Sequence, residues 1–163
     1  MSNPPLHPAL SPLAELVGTF EGPGTGHYPT IDPFEYRERV TFGHVGKPVL
    51  AYEQATWDPV SGTPMHAERG YLRPADGGVV EFMIAHVFGI TELLEGDHGS
   101  ADDGRDRLRL TATSLGIAGT AKPVRHVRRE LRFDADRFDY DVWMAYGEVP
   151  ETHHLAADLQ RVA

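Results

Sequence analysis

The sequence predicts an all-β fold: about ten antiparallel strands closed into an up-and-down barrel, preceded by a short N-terminal helical turn. Three observations predict it. Apolar residues recur at every second position in most segments, with almost no helical period. Turn signals recur every ~8–15 residues, supplied by 17 Gly and 13 Pro spread along the chain. No stretch carries the Pro or Lys defences of an exposed edge strand, which favours closure over an open sandwich.

Residues 1–12, Pro-rich, read as a flexible arm, and residues 13–163 as one barrel domain. Ser11 and Pro12 open a helical turn over Leu13–Val17, which Gly18 ends. Tyr36, Val40 and Phe42 then share one strand face, with Arg37, Arg39 and Thr41 on the other. Val49–Trp57 is a strand closed by the turn Asp58–Gly62, and Met65–Arg73 is ended by Pro74 and the Asp76-Gly77-Gly78 turn. Val79–His86 is rich in apolar residues, Gly89–Glu95 is short, and Gly96–Asp106 reads as a long polar loop. Leu108, Leu110 and Ala112 alternate with Arg107, Arg109 and Thr111, and Val124–Phe133 carries a band of arginines expected on its outside. The clearest strand has Phe138, Tyr140, Val142, Met144 and Tyr146 alternating with Asp139, Asp141, Trp143 and Ala145. The period of His154–Val162 is ambiguous between helix and strand.

A chain of 163 residues is the size of one domain. Its 24 acidic against 15 basic residues give a net charge of −9, which repels phosphate backbones and anionic lipid, so neither nucleic acid nor membrane is expected as a partner. No run approaches the ~20 apolar residues that span a bilayer. The N-terminus has neither a basic n-region nor a continuous apolar stretch, and a cytoplasmic protein is expected. The chain has no cysteine, which removes disulfides, thiolate metal sites and cysteine nucleophiles together. Its one compositional oddity is nine histidines.

Several motifs fail on inspection. Gly18–Gly26 is followed by no Gly-Lys-Ser/Thr and opens no helix, so a strand whose glycines permit close backbone approach replaces the phosphate-loop reading. The loop Asp102–Asp106 lacks the bidentate glutamate of a calcium loop. Neither Gly-x-Ser-x-Gly nor His-Glu-x-x-His occurs. Among the histidines, His7 and His98 fall in expected loops, while His66 and His86 fall in strands and could face a cavity. A zinc site from His44, His66 and His86 is an alternative whose spacings encode no geometry. His153-His154 differs, because adjacent strand residues face opposite ways and one of the two must face in. An inward neutral imidazole could serve, among other uses, as a single axial ligand to haem iron.

Taken together, the segments resemble the nitrobindin family, small ten-stranded barrels of lipocalin and fatty-acid-binding-like shape that bind ferric haem b. The resemblance runs from about Leu13 to Arg161. It rests on Gly18-Thr19-Phe20-Glu21-Gly22-Pro23-Gly24, on Tyr28-Pro29-Thr30-Ile31, on Phe42–Pro48 and on Pro64–Arg73. It continues through Ala121-Lys122, Met144-Ala145 and His154-Leu155-Ala156-Ala157-Asp158-Leu159-Gln160-Arg161. It implies His154 as the proximal iron ligand, Met144 as a lining methionine, and Met65 and His66 on the distal side. It further implies Thr30 near the haem, Lys122 at the haem edge and Tyr28 in the cavity wall. Phe20 stands where the family signature has tryptophan, and Ala85–Gly89 departs from the usual Pro-Thr-Gly, adding His86 to that wall.

The implied function is a protein with one ferric haem b per chain that binds nitric oxide and isomerises peroxynitrite to nitrate. No side chain is assigned as catalytic; His66 and His86 are expected to tune access and the protonation of a bound anion. A distal side with few hydrogen-bond donors stabilises dioxygen poorly, which argues against oxygen storage. Two rivals remain: an intracellular carrier of a fatty acid or other apolar ligand, and a haem storage or sensing protein. Oligomeric state is left open, a homodimer included.

Overall fold

Ten strands follow one another around a closed ring in a computed structural model that describes residues 3–163. They are β1 (Gly18–Tyr28), β2 (Ile31–His44), β3 (Leu50–Trp57), β4 (Pro64–Pro74), β5 (Val79–His86), β6 (Ile90–Ser100), β7 (Asp106–Ile117), β8 (Val124–Phe133), β9 (Arg137–Tyr146) and β10 (Val149–Arg161). Each pairs antiparallel with its sequence neighbours, and β1 pairs with β10, Phe20 opposite Arg161 and Gly26 opposite Leu155. Closure removes every sheet edge, as the missing edge defences foretold.

One end of the barrel is plugged. A 3₁₀ helix, Pro8–Leu16, runs straight into β1 and packs against β4. Leu10, Leu13 and Leu16 recur every third residue, the 3₁₀ period, and all three are fully buried. The helix therefore starts earlier than the expected Leu13, and residues 8–12 of the expected arm belong to it. Its cap is His7, whose Nδ1 accepts the Ala9 N–H at 3.2 Å, and not Ser11.

Strand alternation sorts the interior into three layers. Next to the plug lie Phe20, Phe42, Phe82, Phe133, Phe138, Leu50, Leu72, Leu94 and Leu108, all buried. The middle layer is polar: Glu38, Gln54, Glu68, Glu92 and Arg129, buried among Tyr36, Tyr52 and Tyr140. The third layer, at the open end, carries Tyr28, His66, His86, Met144 and His154. The β1 glycines make room for rings: a Cβ at Gly24 would lie 2.2 Å from the Tyr36 ring, and one at Gly26 2.1 Å from that of Phe34.

Two expectations are corrected. β6 continues to Ser100 and pairs with β7 as far as Asp106, so only residues 101–105 form the loop. A two-stranded ribbon is held by its backbone ladder, so polar side chains there gave no strand signal. The arginine band of β8 is not wholly outside, since Val127, Arg129, Leu131 and Phe133 are its buried face. The ambiguous C-terminal segment is strand throughout, to Arg161.

Candidate functional site

Five hairpin turns (residues 29–30, 58–63, 87–89, 118–123 and 147–148) ring the end opposite the plug. All eight residues singled out from the sequence lie at this end. His154 is placed by a β-bulge: His153 pairs with Trp143 and Leu155 with Val142, which leaves His154 as the extra residue. Counting back along the buried face from Leu159 and Ala157 through Leu155 would put His153 inside. The bulge shifts the phase by one and hands that face to His154, a known use of bulges next to functional sites. Register shifts at Gly26/Tyr28, Thr56/Trp57 and Val124/His126 fall at the same rim.

The His154 imidazole is half-buried and oriented. Its Nδ1 lies 3.0 Å from the His27 carbonyl oxygen, so Nδ1 carries the proton and Nε2 keeps a lone pair. Burial pushes its pKa below the ordinary histidine value, against the opposing His27 bond, so the ring is neutral at pH 7. The buried Tyr28 ring meets it edge-on at 5.3 Å and donates its hydroxyl to the Met144 carbonyl at 3.1 Å. Met144 and Met65 are half-buried and pack against the core. Thr30 is exposed in the β1–β2 turn. Lys122 is exposed in the β7–β8 loop, its Nζ 5.8 Å from the centroid of the Tyr146 ring.

Across the ring from β10, His66 and His86 meet at 3.1 Å (Nε2 to Nδ1). Below them Arg129 binds both Glu68 (3.1 and 3.3 Å) and Glu92 (2.9 and 3.0 Å). Burial alone would raise the Glu68 and Glu92 carboxyls, but Arg129 and the neighbouring histidines outweigh it and hold both below the usual range. Glu38 has no such cation: burial pushes it up to about 7, opposed by the Tyr140 hydroxyl that donates to it at 2.7 Å. His44, the third member of the alternative zinc set, is at the far end of β2 beside Gly46 and meets neither His66 nor His86.

Sequence reading missed the buried polar layer, the orienting carbonyl of His27, and Tyr146, 6.3 Å from Tyr28. The layer had a signal. Glu38 falls between Tyr36 and Val40, Glu92 between Ile90 and Leu94, and Arg129 between Val127 and Leu131, each on an apolar face of period two. The carbonyl had none.

The sequence profile of a family described as "THAP4-like, heme-binding beta-barrel domain" matches residues 9–161. The chain is 47% identical over 156 residues to peroxynitrite isomerase 2 of Mycobacterium avium, covering 96% of each. It is 46% identical to the peroxynitrite isomerase of Nocardia farcinica, covering 96% of this chain and 92% of that one. The crystal structure of Rv2717c from M. tuberculosis superposes with a TM-score of 0.92 at 44% identity, covering 98% of this chain and all of the other.

Proposed function

The chain belongs to the THAP4-like, heme-binding beta-barrel family, and from that premise we propose that its open end holds one ferric haem b per chain on His154 and isomerises peroxynitrite to nitrate. The carrying observation is the His154 ring, neutral, with Nδ1 committed to the His27 carbonyl and Nε2 left as donor. That is the donor an iron centre takes from histidine, with the second partner that orients it. The chain offers no thiolate in competition.

The bound haem supplies the electrophilic ferric centre at which the anion rearranges, and the chain's own groups do the rest. His154 would hold the iron through Nε2. Tyr28 braces the His154 side through the Met144 carbonyl, and its ring with Met144 and Met65 would give the haem an apolar wall. Lys122, at the rim beside Tyr146, would meet a propionate, and Thr30, exposed in the β1–β2 turn, would stand at the same mouth. His66, opposite, would bound access on the distal side, with its Nε2 turned to His86 and Glu68. Nitric oxide would be a reversible ligand of the same iron. The cytoplasmic expectation rests on the N-terminal sequence, which has neither a basic n-region nor a continuous apolar stretch; no helix of the described residues is long and apolar enough to cross a membrane.

The fatty-acid reading needs a free interior cation to hold a carboxylate. Arg129 is inside, but Glu68 and Glu92 already occupy it. This favours haem.

Titration of the purified protein with ferric haem is expected to give a saturable one-to-one Soret shift. His154→Ala is expected to lose that spectrum and to weaken binding roughly 100-fold, with the far-UV CD unchanged. No saturable shift in the wild type would overturn haem binding, and an unchanged spectrum in the variant would overturn the ligand assignment. Stopped-flow decay of peroxynitrite should be faster with haem-loaded protein; equal rates would leave storage or sensing.

A further inference from the structure

The His66–His86 pair does more than line a wall. His66 Nε2, His86 Nδ1 and Glu68 Oε1 converge with separations of 3.1, 3.2 and 3.3 Å. An ion about 2.0–2.1 Å from each of its ligands in a tetrahedral set holds them about 3.3 Å apart, so these three atoms already form one face of such a set. From this geometry we propose that His66, His86 and Glu68 form a second metal site, for a divalent transition-metal ion of the zinc type, inside the open end of the barrel.

Hydrogen positions support a cation there. His86 Nε2 lies 2.6 Å from Glu92 Oε1, and this short contact requires its proton on Nε2. Its Nδ1 is then the ring atom turned to Glu68 Oε1, which also accepts from Arg129. A metal ion at the centre satisfies every edge at once. The Glu92–His86 bond is at the same time the carboxylate-to-histidine contact that fixes ring orientation at metal centres.

The surroundings fit. Glu68 and Glu92 face one guanidinium, Arg129, so the cluster carries one uncompensated negative charge among the described residues. Tyr52 donates to the other Glu68 oxygen at 3.0 Å, which fixes the carboxylate. The side chains of His66 and His86 are 23% and 12% exposed, so an ion can enter from the open end and keep its fourth position for water. Phe88 covers His66 with its ring at 5.1 Å. This site lies on β4 and β5, across the ring from His154, and does not depend on the haem reading.

The test uses full-length, haem-free protein treated with a chelator and then titrated with Co²⁺. One equivalent is expected to produce the visible absorption of a four- or five-coordinate ion, and Zn²⁺ to displace it. His66→Ala and His86→Ala should each abolish the signal. Glu92→Gln, which preserves shape, should weaken Co²⁺ roughly 10–100-fold by releasing the His86 ring. His153→Ala removes the exposed His27–His153 ring pair on the opposite side of the barrel and should leave the titration unchanged. Absence of a one-equivalent signal, or its persistence in His66→Ala and His86→Ala, overturns the site. Should those two variants fail to fold, unchanged affinity in Glu92→Gln overturns it as well. Because the readout is cobalt absorption and not a Soret shift, its failure is separate from any failure of haem binding.

Discussion

Burial favours the neutral form of both His154 and Glu38, and they respond to pH in opposite ways. An imidazole takes a metal only as the free base, and burial lowers the pKa of His154 from the ordinary 6.5. Haem affinity is therefore expected to be flat from pH 8 to about 6.5 and to fall only in more acid solution, measured by Soret titration across that range. A fall beginning above pH 7 would contradict the burial argument. The raised folded-state pKa of Glu38, about 7 against 4.5, makes its contribution to stability complete below pH 4.5 and progressively lost as pH rises to 7. The loss amounts to at most about 3 kcal/mol. Glu68 and Glu92 act in the other sense, stabilising above the ordinary carboxylate range and losing that as pH falls through their depressed values. Glu38→Gln should keep the Tyr140 bond, raise the melting temperature at pH 8 and flatten the decline between pH 4.5 and 7. Equal slopes in variant and wild type would show that Glu38 is not the titrating group. At this scale the sequence showed that one of His153 and His154 must face in, but not which.

At the scale of elements, β1 and the N-terminal 3₁₀ helix show how far local pattern reaches. The glycine run of β1 was legible as a strand with close backbone approach, and the partners turn out to be the Tyr36 and Phe34 rings. Gly24→Ala is expected to cost roughly 1–3 kcal/mol in chemical denaturation, because the Tyr36 hydroxyl is tied to Tyr140 at 2.8 Å and the ring cannot step aside freely. Gly119→Ala, whose Cβ would meet nothing within 4 Å, should be neutral. In the 3₁₀ helix, Leu13→Ala should cost roughly 2–5 kcal/mol as a cavity in the plug. The helix was placed too late in the sequence reading because Ser11-Pro12 is a strong start signal, whereas a capping histidine followed by proline is not. β10 was read as ambiguous for a physical reason: its bulge breaks the period of two at the residue that matters.

For the whole molecule, closure is the controlling fact. β10 seals the ring against β1 and also carries His154, so fold and site stand or fall together. A chain ending at residue 148 would expose two edges, on β1 and β9, and is expected to lose its cooperative thermal transition by CD; a sharp transition would refute the dependence. Because the closing strands come from opposite ends of the chain, refolding should sit in the slow, millisecond-to-second range of non-local β folds.

The sequence by itself determined the fold class, most of the strands and, through motifs shared with a family, the candidate residues that the open end brings together. These are legible because alternation and turn chemistry are local. Only the tertiary structure decided which histidine of the pair faces inward, that Arg129 lies inside between two glutamates, and that Glu68, not His44, joins His66 and His86. Each depends on a bulge or on side chains arriving from separate strands. The phase of a strand and the meeting of distant residues are properties of the closed ring, so no window of sequence contains them.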